Sequence, residues 1–509
     1  MARFTDLRYV VVQAGGRGSR LGHLTANRPK CLLSIDGEPL LYRLFRQFPK
    51  ARFLVVVDTH ADALDAYLSV VPPPVPVTRV PAIGSGSAAG LRAAIDQIVE
   101  DEPFAIVWCD LFFDTAPGDL EVTDQPVLGL SGGRFTCRWS VDEQGHLVEA
   151  PDAERGIAGL FAFPDRGFLR DVPDDGEFVR FLRDSAMAVR AVPVPGIREF
   201  GTLAAVEQYT AGRQATRFFN HIEVSERQVV KSARLPEFEH LIEAEANWYE
   251  LVEALGFQHT PKLRSRAPLT IDRVAGHHPF ELTLDDAGRD RVLSAIMDCL
   301  SELHALRRAP GDPTATQAMY HDKAVERVTR IRPLIPQVDR PTLTVNGLRC
   351  RNPLHSRYVD WFRDKVDRIG TATFALIHGD PTFSNMLVTA DGAAWLIDPR
   401  GTFGAHAYHG DPRYDWAKLL YSVAGNYDQF NRRQFRLRVD GDAVSLSIGS
   451  NGWERQAGAL RERIGADAAA IDLIHASIWL SLSGYVLDDL DSVLAAFYNG
   501  IHYLELTER

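Results

Sequence analysis

The first 130 residues alternate short apolar runs with amphipathic stretches, and this alternation constrains the fold more than any other feature of the chain. The apolar runs are YVVVQ, FLVVVD, FAIVWCD and VLGLSG, and the amphipathic stretches include PLLYRLFRQF and DALDAYLSVV. Continuous Val, Ile and Leu runs separated by helices are typical of parallel strands buried on both faces. The sequence therefore predicts an α/β sheet covered by helices. The alternating segment 134–150, built around Asp-Glu-Gln-Gly, predicts a hairpin added to this sheet.

A second region begins after residue 210, where the pattern changes. AAVEQYTAGRQ predicts a terminal helix, HIEVSERQVVKSA predicts a new strand pair, and a long helix is expected from about Glu237 to Leu255. Most of the later sequence predicts helices, apart from a hairpin over 435–448. The sequence thus predicts a second, α+β domain. We expect the first domain at residues 1–212, a linker at 213–220 and the second domain at 221–509.

Composition narrows the class of protein. The 509 residues are enough for two to four domains, and the net charge of -11 argues against a general nucleic-acid binder. There is no apolar run of about 18 residues to span a bilayer and no apolar signal core at the start, so we expect no membrane partner. Scattered cysteines without a CxxC pair predict reduced thiols and a cytoplasmic location. These cysteines are Cys31, Cys109, Cys137, Cys299 and Cys350.

The stretch QAGGRGSR follows the first predicted strand directly. It lacks the Lys-Ser or Lys-Thr that closes a Walker loop, and Leu21 stands where a dinucleotide fingerprint needs its third glycine. A glycine-rich turn still lets backbone N–H groups approach a triphosphate, and Lys30 could hold a second phosphorylated substrate. Asp110 ends the strand FAIVWC, where a carboxylate suits Mg²⁺ at the carboxyl edge of the sheet.

With its Gly-Gly-Arg-Gly-Ser-Arg-Leu turn and Pro29-Lys30, the region from residue 8 to about 210 resembles the sugar-phosphate nucleotidyltransferase family. The resemblance implies a Rossmann-like, doubly wound mixed sheet on which a phosphate oxygen attacks the α-phosphorus of an NTP and pyrophosphate leaves. Glu199 stands where the family has its second Mg²⁺ carboxylate. GSGSAAGL, at the family's base and ribose contacts, could equally begin a capped helix. The implied site comprises catalytic Arg20 and Lys30, metal-binding Asp110 and Glu199, and nucleotide-binding Gly15, Gly16, Gly18, Ser19, Gly86 and Ser87.

ALIHGDPTFSNMLV is the second informative stretch. Asn385 follows Asp380 by five positions, the spacing of a kinase catalytic loop, and His378 precedes them. An aspartate at this position orients an attacking hydroxyl and accepts its proton, while the asparagine holds Mg²⁺. The strand AAWLI then ends in Asp398, which suits the principal metal-binding carboxylate.

Residues 221 to 509 resemble the aminoglycoside phosphotransferase and choline kinase family. The resemblance implies a bilobal, protein-kinase-like fold in which Lys231 binds ATP and Glu245, with Glu243 as a competitor, is its helix partner. Leu303, His304 and Asp415 match positions that we interpret as structural. Two departures are a missing glycine-rich loop before Lys231 and the sequence IDPRG, whose Arg400 could contact the acceptor. His277 and His278 are interpreted as loop residues, and 320–327 as a segment that either reaches the acceptor or faces solvent.

The two predicted reactions are complementary, since a kinase makes the phosphomonoester that a nucleotidyltransferase activates. We expect a bifunctional enzyme that uses ATP, a second NTP and Mg²⁺ and acts on a small-molecule acceptor. A sugar phosphorylated at its anomeric hydroxyl would give an NDP-sugar for surface glycan. A polyol, a cyclitol, or an amino alcohol such as choline with CTP are alternatives. One domain could instead be a nucleotide-binding sensor, or the two activities could be unconnected.

Overall fold

The computed structural model of the chain describes residues 2–114, 117, 120–211 and 220–509. It divides into two compact units. The first comprises residues 1–213 and 487–491, and the second comprises residues 214–486 and 492–509. The predicted linker, 213–220, lies outside the described residues except for Asn220. That residue begins a strand and so does not belong to a linker.

The first unit is built on a seven-stranded sheet, and the predicted α/β architecture is confirmed. Its strands are β1 (Tyr9–Gln13), β2 (Arg52–Val57), β3 (Val77–Pro81), β4 (Phe104–Trp108), β5 (Val127–Leu130), β6 (Ile157–Phe163) and β7 (Arg190–Pro193). Its helices are α1 (Leu40–Gln47), α2 (Ala61–Val70), α3 (Leu91–Ile95), α4 (Phe178–Asp184) and α5 (Leu203–Thr210). The strand order is β7-β5-β6-β4-β1-β2-β3.

The sheet is mixed. Strands β4, β1, β2 and β3 run parallel, whereas β6 is antiparallel to both β4 and β5. The run VLGLSG, which forms β5, is therefore separated from the parallel strands by β6, although the apolar pattern placed it in one parallel series. The hairpin predicted over 134–150 is present in shorter form, with Ser140–Val141 pairing antiparallel to Leu147–Val148. These strands form a separate two-stranded sheet, so the prediction that the hairpin is added to the main sheet is wrong.

The second unit opens with an antiparallel sheet of order β8-β9-β11-β10. Its strands are β8 (Asn220–Val224), β9 (Gln228–Ala233), β10 (Leu263–Arg266) and β11 (Leu269–Asp272). The predicted strand pair is β8 and β9. The predicted long helix is α6 (Glu239–Ala254), which buries Trp248 and Tyr249 on its inner face.

Helices form most of the remainder of the second unit. They are α7 (Asp286–Leu306), α8 (Pro313–Gln317), α9 (Lys323–Arg330), α10 (Val359–Ile369), α11 (Pro412–Val423), α12 (Tyr427–Asn431), α13 (Ala457–Ile464), α14 (Ala468–Ser483) and α15 (Leu490–Leu506). A π-helical turn, Ala318–Asp322, joins α8 to α9. In the part of the chain that is described, no helix is both long and apolar enough to cross a membrane.

The further strands of the second unit include the following six. They are β12 (Thr342–Val345), β13 (Leu348–Arg351), β14 (Met386–Thr389), β15 (Ala394–Leu396), β16 (Phe435–Asp440) and β17 (Ala443–Ile448). Strands β14 and β15 form a hairpin. The predicted hairpin over 435–448 is β16 and β17, and it belongs to a four-stranded sheet of order β13-β12-β17-β16.

Candidate active sites

The candidate site of the first unit lies at the carboxyl ends of β1 and β4. The two strands are adjacent and parallel, and Gln13 lies opposite Trp108 in their register. The glycine-rich turn, residues 14–20, follows β1, and Asp110 follows β4. Lys30 forms an ion pair with the Asp110 carboxylate. Burial, the largest single influence, would lower the pKa of the Lys30 ammonium, but the charge and hydrogen bond of Asp110, together with the nearby Cys109 and Glu199, raise the pKa overall.

A second carboxyl group stands beside Asp110. The segment Ile197–Glu199 pairs with Leu111–Phe113, which places Glu199 opposite Leu111. A Cβ atom at Gly201 would lie 2.1 Å from Glu199 Oε1 and 3.0 Å from Asp110 Oδ2, so both carboxyl groups border the same small space. Burial, followed by the nearby charge of Asp110, raises the pKa of Glu199.

This carboxyl pair has the chemistry of a Mg²⁺ site. Two converging oxygen donors on neighbouring strands are what a hard cation needs from a protein when substrate phosphates supply further ligands. Among the described residues, no group of three or more His, Cys, Asp and Glu side chains is placed to hold a metal alone. Arg20 Nη2 lies 3.9 Å from Glu199 Oε1, and its side chain is 67% exposed.

Gln13 is a site residue to which the sequence analysis gave no role. Its Nε2 donates to the carbonyl oxygens of Ser87 and Ala89, both at 2.9 Å, and its Oε1 accepts from Gly15 N at 3.0 Å. One side chain thus ties the glycine-rich turn to the segment 84–90. The only signal in the sequence is a polar residue at the end of an otherwise apolar strand.

The predicted nucleotide contacts fall into two environments. Gly86 has a φ of +75°, and a Cβ atom there would lie 2.2 Å from the Gly176 carbonyl oxygen, so this position requires glycine for packing. Ser87 Oγ accepts from Phe178 N at 2.9 Å. By contrast, Gly16 is exposed, and no described protein atom lies within 4 Å of a Cβ placed there. Gly15, Gly16 and Gly18 lie in the turn itself, and Ser19 and Arg20 begin the short 3-10 helix Ser19–Thr25 that follows it.

The candidate site of the second unit begins with a buried ion-pair network. Lys231 on β9 donates to Glu245 Oε1 at 2.7 Å and also pairs with Asp398. Lys231 is 4% exposed and Glu245 is 8% exposed, whereas Glu243 faces solvent. The network joins strand β9, helix α6 and the segment that follows β15. It brings together three residues that the sequence assigned to ATP and metal binding.

In the predicted catalytic loop, residues 378–385, Asp380 contacts the side chains of Asn385 and Lys418. Asn385 Nδ2 lies 2.8 Å from the Asp380 carbonyl oxygen and 3.2 Å from Oδ2. Lys418 Nζ on α11 lies 3.0 Å from Asp380 Oδ1. Burial, the largest single influence, would lower the pKa of Lys418, but the charge and hydrogen bond of Asp380, together with Tyr414 and Tyr427, raise it overall. The sequence analysis missed Lys418, whose only signal is a charge three residues after Asp415 in a largely apolar helix.

Asp415 and His378 hold the backbone of this loop. The buried carboxylate of Asp415 accepts from the N–H groups of His378 at 2.8 Å and Gly379 at 2.9 Å, and His304 Nε2 lies 3.0 Å away. His378 Nδ1 accepts from Asp380 N at 3.3 Å, and its Nε2 donates to the Ile397 carbonyl at 2.9 Å. Burial lowers the pKa of His378, which favours this neutral imidazole. These contacts agree with the structural interpretation of His304 and Asp415.

Arg400 and the predicted loop histidines are placed differently. Arg400 N donates to the His378 carbonyl at 2.9 Å, and Arg400 Cβ would lie 3.2 Å from a Cβ at Gly379, so this arginine adjoins the catalytic loop. His277 lies in a two-residue strand against β14, which corrects the loop interpretation for that residue. His278 Nδ1 hydrogen-bonds the Met386 carbonyl at 2.8 Å.

Comparisons with known proteins identify both regions. Residues 10–117 match the MobA-like NTP transferase domain, and residues 205–443 match the phosphotransferase enzyme family. No curated protein matches the chain.

Three solved structures are similar to part of the chain. The inositol-1-phosphate CTP transferase from T. maritima is 17% identical, covers 41% of this chain and 98% of its own, and has a TM-score of 0.33. HddC from Yersinia pseudotuberculosis, complexed with GMP-PN, is 18% identical over 40% of this chain and 98% of its own, with a TM-score of 0.34. The CTP:phosphocholine cytidylyltransferase LicC from Streptococcus pneumoniae is 14% identical over 40% and 97%, with a TM-score of 0.31.

Proposed function

We propose that this chain, which joins a MobA-like NTP transferase domain to a domain of the phosphotransferase enzyme family, is a bifunctional enzyme. Its second unit would phosphorylate a small hydroxyl compound with ATP. Its first unit would transfer a nucleoside monophosphate from an NTP onto the new phosphate. The observation that carries the proposal is that each unit assembles a lysine and carboxylates at one point, Lys30 with Asp110 and Lys231 with Asp398.

The kinase step follows from the contacts of the catalytic loop. The acceptor hydroxyl oxygen attacks the γ-phosphorus, the bond to the β–γ bridging oxygen breaks, and ADP leaves. Asp380 orients the hydroxyl and accepts its proton. Asn385 and Asp398 would hold Mg²⁺, which neutralises phosphate charge when bound. Lys231 clamps the phosphates of ATP, and its bond to Glu245 keeps the ammonium in place.

The nucleotidyl transfer step uses the glycine-rich turn. A phosphate oxygen of the acceptor attacks the α-phosphorus, the bond to the α–β bridging oxygen breaks, and pyrophosphate leaves. Backbone N–H groups of the turn hold the triphosphate, and Arg20 and Lys30 stabilise charge on the α-phosphate and the incoming phosphate. Asp110 and Glu199 are the Mg²⁺ ligands that the carboxyl pair suggests.

In both units an ammonium group already neutralises a proposed metal carboxylate. Lys30 pairs with Asp110, and Lys231 pairs with Asp398. A cation entering with the nucleotide would take over the carboxylate, and the lysine would turn to the phosphates. Each lysine–aspartate contact therefore fits a site in which a metal cation replaces the lysine ammonium beside the carboxylate.

The net product would be an NDP-sugar or a similar activated precursor for surface glycan. A sugar phosphorylated at its anomeric hydroxyl is our leading intermediate, and a polyol or amino alcohol used with CTP is the alternative. We place the junction between the units near residues 213–220. We place the reactions in the cytoplasm, where the five cysteines would stay free thiols, as they are in the structure.

A nucleotide-binding sensor is the second candidate for the kinase unit. It is favoured by the connection between β8 and β9, a tight turn in which Ser225 N donates to the Gln228 carbonyl at 2.9 Å. The turn contains no glycine, so its backbone is poorly suited to close contact with phosphates. Against the sensor stands the complete set of Lys231, Glu245 and Asp398 in contact.

The test supplies full-length protein with unphosphorylated candidates, ATP and each NTP in turn. Mass spectrometry then identifies the mixture that yields both pyrophosphate and an NDP-linked product. A parallel series receives the corresponding phosphorylated compounds. If these react while no phosphorylated compound arises from ATP, the sequential proposal fails. If nucleotide binding to the second unit then alters nucleotidyl transfer, the sensor is supported.

A further inference from the structure

Several cationic side chains lie in the surroundings of Asp380. Lys418 contacts its carboxylate at 3.0 Å, and Arg400 adjoins Gly379 directly before it. Lys323 and Arg327 lie one helical turn apart on α9, and their charges also act on this region. These four cationic side chains, Lys323, Arg327, Arg400 and Lys418, are called the basic cluster below.

Lys323 is the member of the basic cluster whose ammonium group has hydrogen bonds left to donate. It is half-buried, and within the described residues its ammonium forms no hydrogen bond or ion pair. Arg327, by contrast, donates to the Ser481 carbonyl at 3.0 Å, and Lys418 is held by Asp380. Burial, reinforced by the charges of Arg327 and Lys418, lowers the pKa of Lys323 to about 8. A half-buried ammonium among like charges gains stability from an anion placed beside it.

The aromatic faces near the cluster are already covered by cations. Lys418 Nζ lies 5.8 Å from the Tyr414 ring centroid and 5.3 Å from that of Tyr421. The Arg327 guanidinium lies 5.7 Å from the centroid of Tyr485. A quaternary or primary ammonium ligand is normally recognised by such faces or by carboxylates. Here it would meet side-chain cations instead.

Resting on the function proposed above, we propose that the acceptor of the kinase unit is an anion: a small hydroxyl compound that carries a carboxylate or phosphate group. Lys323 and Arg400 bind that group, while Asp380 faces the hydroxyl to be phosphorylated. The phosphates of ATP are served by Lys231 and the metal ligands, which leaves the basic cluster for the acceptor. The proposal selects against choline and other amino alcohols.

The first experiment varies acceptor charge on a fixed scaffold. Full-length protein with ATP and Mg²⁺ receives glucose, glucuronate, glucosamine or glucose 6-phosphate, and then glycerol, glycerate, serinol or glycerol 3-phosphate. Release of ADP is measured against the D380N variant. We expect kcat/KM for the preferred anion to exceed that of the neutral and cationic members by about 10-fold to 100-fold, as for one charge-assisted hydrogen bond. The carboxylate and phosphate members show which anion is bound.

This series distinguishes failure of the anionic-acceptor proposal from failure of the proposed kinase function. Preference for a neutral or cationic member overturns the anionic acceptor but leaves the kinase intact. Failure of every member, at every charge, counts against the proposed kinase function itself.

The second experiment needs no identified acceptor. Binding of inorganic phosphate and of malonate to the full chain, saturated with ADP and Mg²⁺, is measured by calorimetry. We expect K323A to weaken this binding about 10-fold or more and K323R to retain it, since Arg keeps the charge. R330A, which removes an exposed cation from the same helix, is the matched control and is expected to bind as the wild type does. Absence of anion binding in the wild type, or equal loss in K323A and R330A, overturns the inference. The inference also fails if K323A weakens the binding of ADP and leaves the binding of the anion unchanged.

Discussion

The two candidate sites hold their phosphate-binding groups in opposite ways. In the first unit, Gly16, Ser19 and Arg20 are exposed, and backbone N–H groups of a turn are the proposed phosphate donors. In the second unit, Lys231 and Asn385 are buried side chains, at 4% and 1% exposure, inside an ion-pair and hydrogen-bond network. The difference teaches that function and stability can be separated in the first site, whereas they depend on the same contacts in the second.

The largest effect is expected from removing one carboxylate in each unit. D380N should lower phosphorylation of the acceptor by about 10²-fold to 10⁴-fold, because a general base is lost. It should leave nucleotidyl transfer to a supplied phospho-compound unchanged, and D110N should do the reverse. Release of ADP and of pyrophosphate, assayed separately, reports the two steps. D364N, at an exposed position on α10, is the control. Loss of both activities in either variant would contradict two independent sites.

The second effect separates stability from activity. K231M should destabilise the second unit by about 3–5 kcal/mol, because Glu245 and Asp398 then lose their buried counter-charge. R20A should cost less than about 0.5 kcal/mol, since its ion pair is long and largely solvated, yet it should still slow nucleotidyl transfer. Urea denaturation followed by tryptophan fluorescence measures both. Similar losses of stability in the two variants would remove the proposed contrast.

The third effect compares two glycines of the first site. G16A should leave the urea midpoint unchanged, because its new methyl group meets no described protein atom, but should raise KM for the NTP about 10-fold by crowding the phosphates. G86A should destabilise the protein by about 1–3 kcal/mol, since its methyl group meets the Gly176 carbonyl at a positive φ. Steady-state kinetics and denaturation of both variants check this. A G16A enzyme with wild-type KM would argue against phosphate contact at the turn.

The smallest expected effect is a pH dependence of the KM for the kinase acceptor. Because the pKa of Lys323 is lowered to about 8, its charge is present below that pH and is lost as pH rises through it. KM for an anionic acceptor should therefore increase above about pH 8, while KM for ATP changes little. The groups that act on Lys323 are Arg327 on its own helix, Lys418, Asp380 and Arg400. K323R should flatten the profile, because arginine stays charged. A rise that persists in K323R would assign the titration to another group.

The features of the fold and of the sites that the sequence predicts depend on residues that are close together in the chain. The apolar runs predicted β1, β2 and β4, and the spacing of Asp380 and Asn385 predicted a loop in which the two residues are in contact. Such features are local, since they follow from strand periodicity and from the reach of one loop. The assignment of Lys231, Glu245 and Asp398 came from resemblance, and the structure places the three in contact.

The features that the sequence does not predict depend on contacts between segments that are distant in the chain. The position of β6 between β4 and β5 cannot be read from apolar runs, because strand order is not encoded in periodicity. Gln13 contacts Ser87 and Ala89, which lie 74 and 76 residues away in the chain, and Lys418 contacts Asp380, which lies 38 residues away (418 − 380). A single lysine on a helix is usually a solvated charge, so only packing reveals that Lys418 faces Asp380.

The π-helical turn at Ala318–Asp322 immediately precedes Lys323. A π turn accommodates one extra residue in an otherwise α-helical segment, and each residue turns the helix by about 100°. Gain or loss of one residue in this turn would therefore rotate Lys323 and Arg327 toward or away from the acceptor, with the catalytic loop unchanged. Acceptor preference in this architecture can thus evolve through the length of a helix, independently of the residues that perform the chemistry.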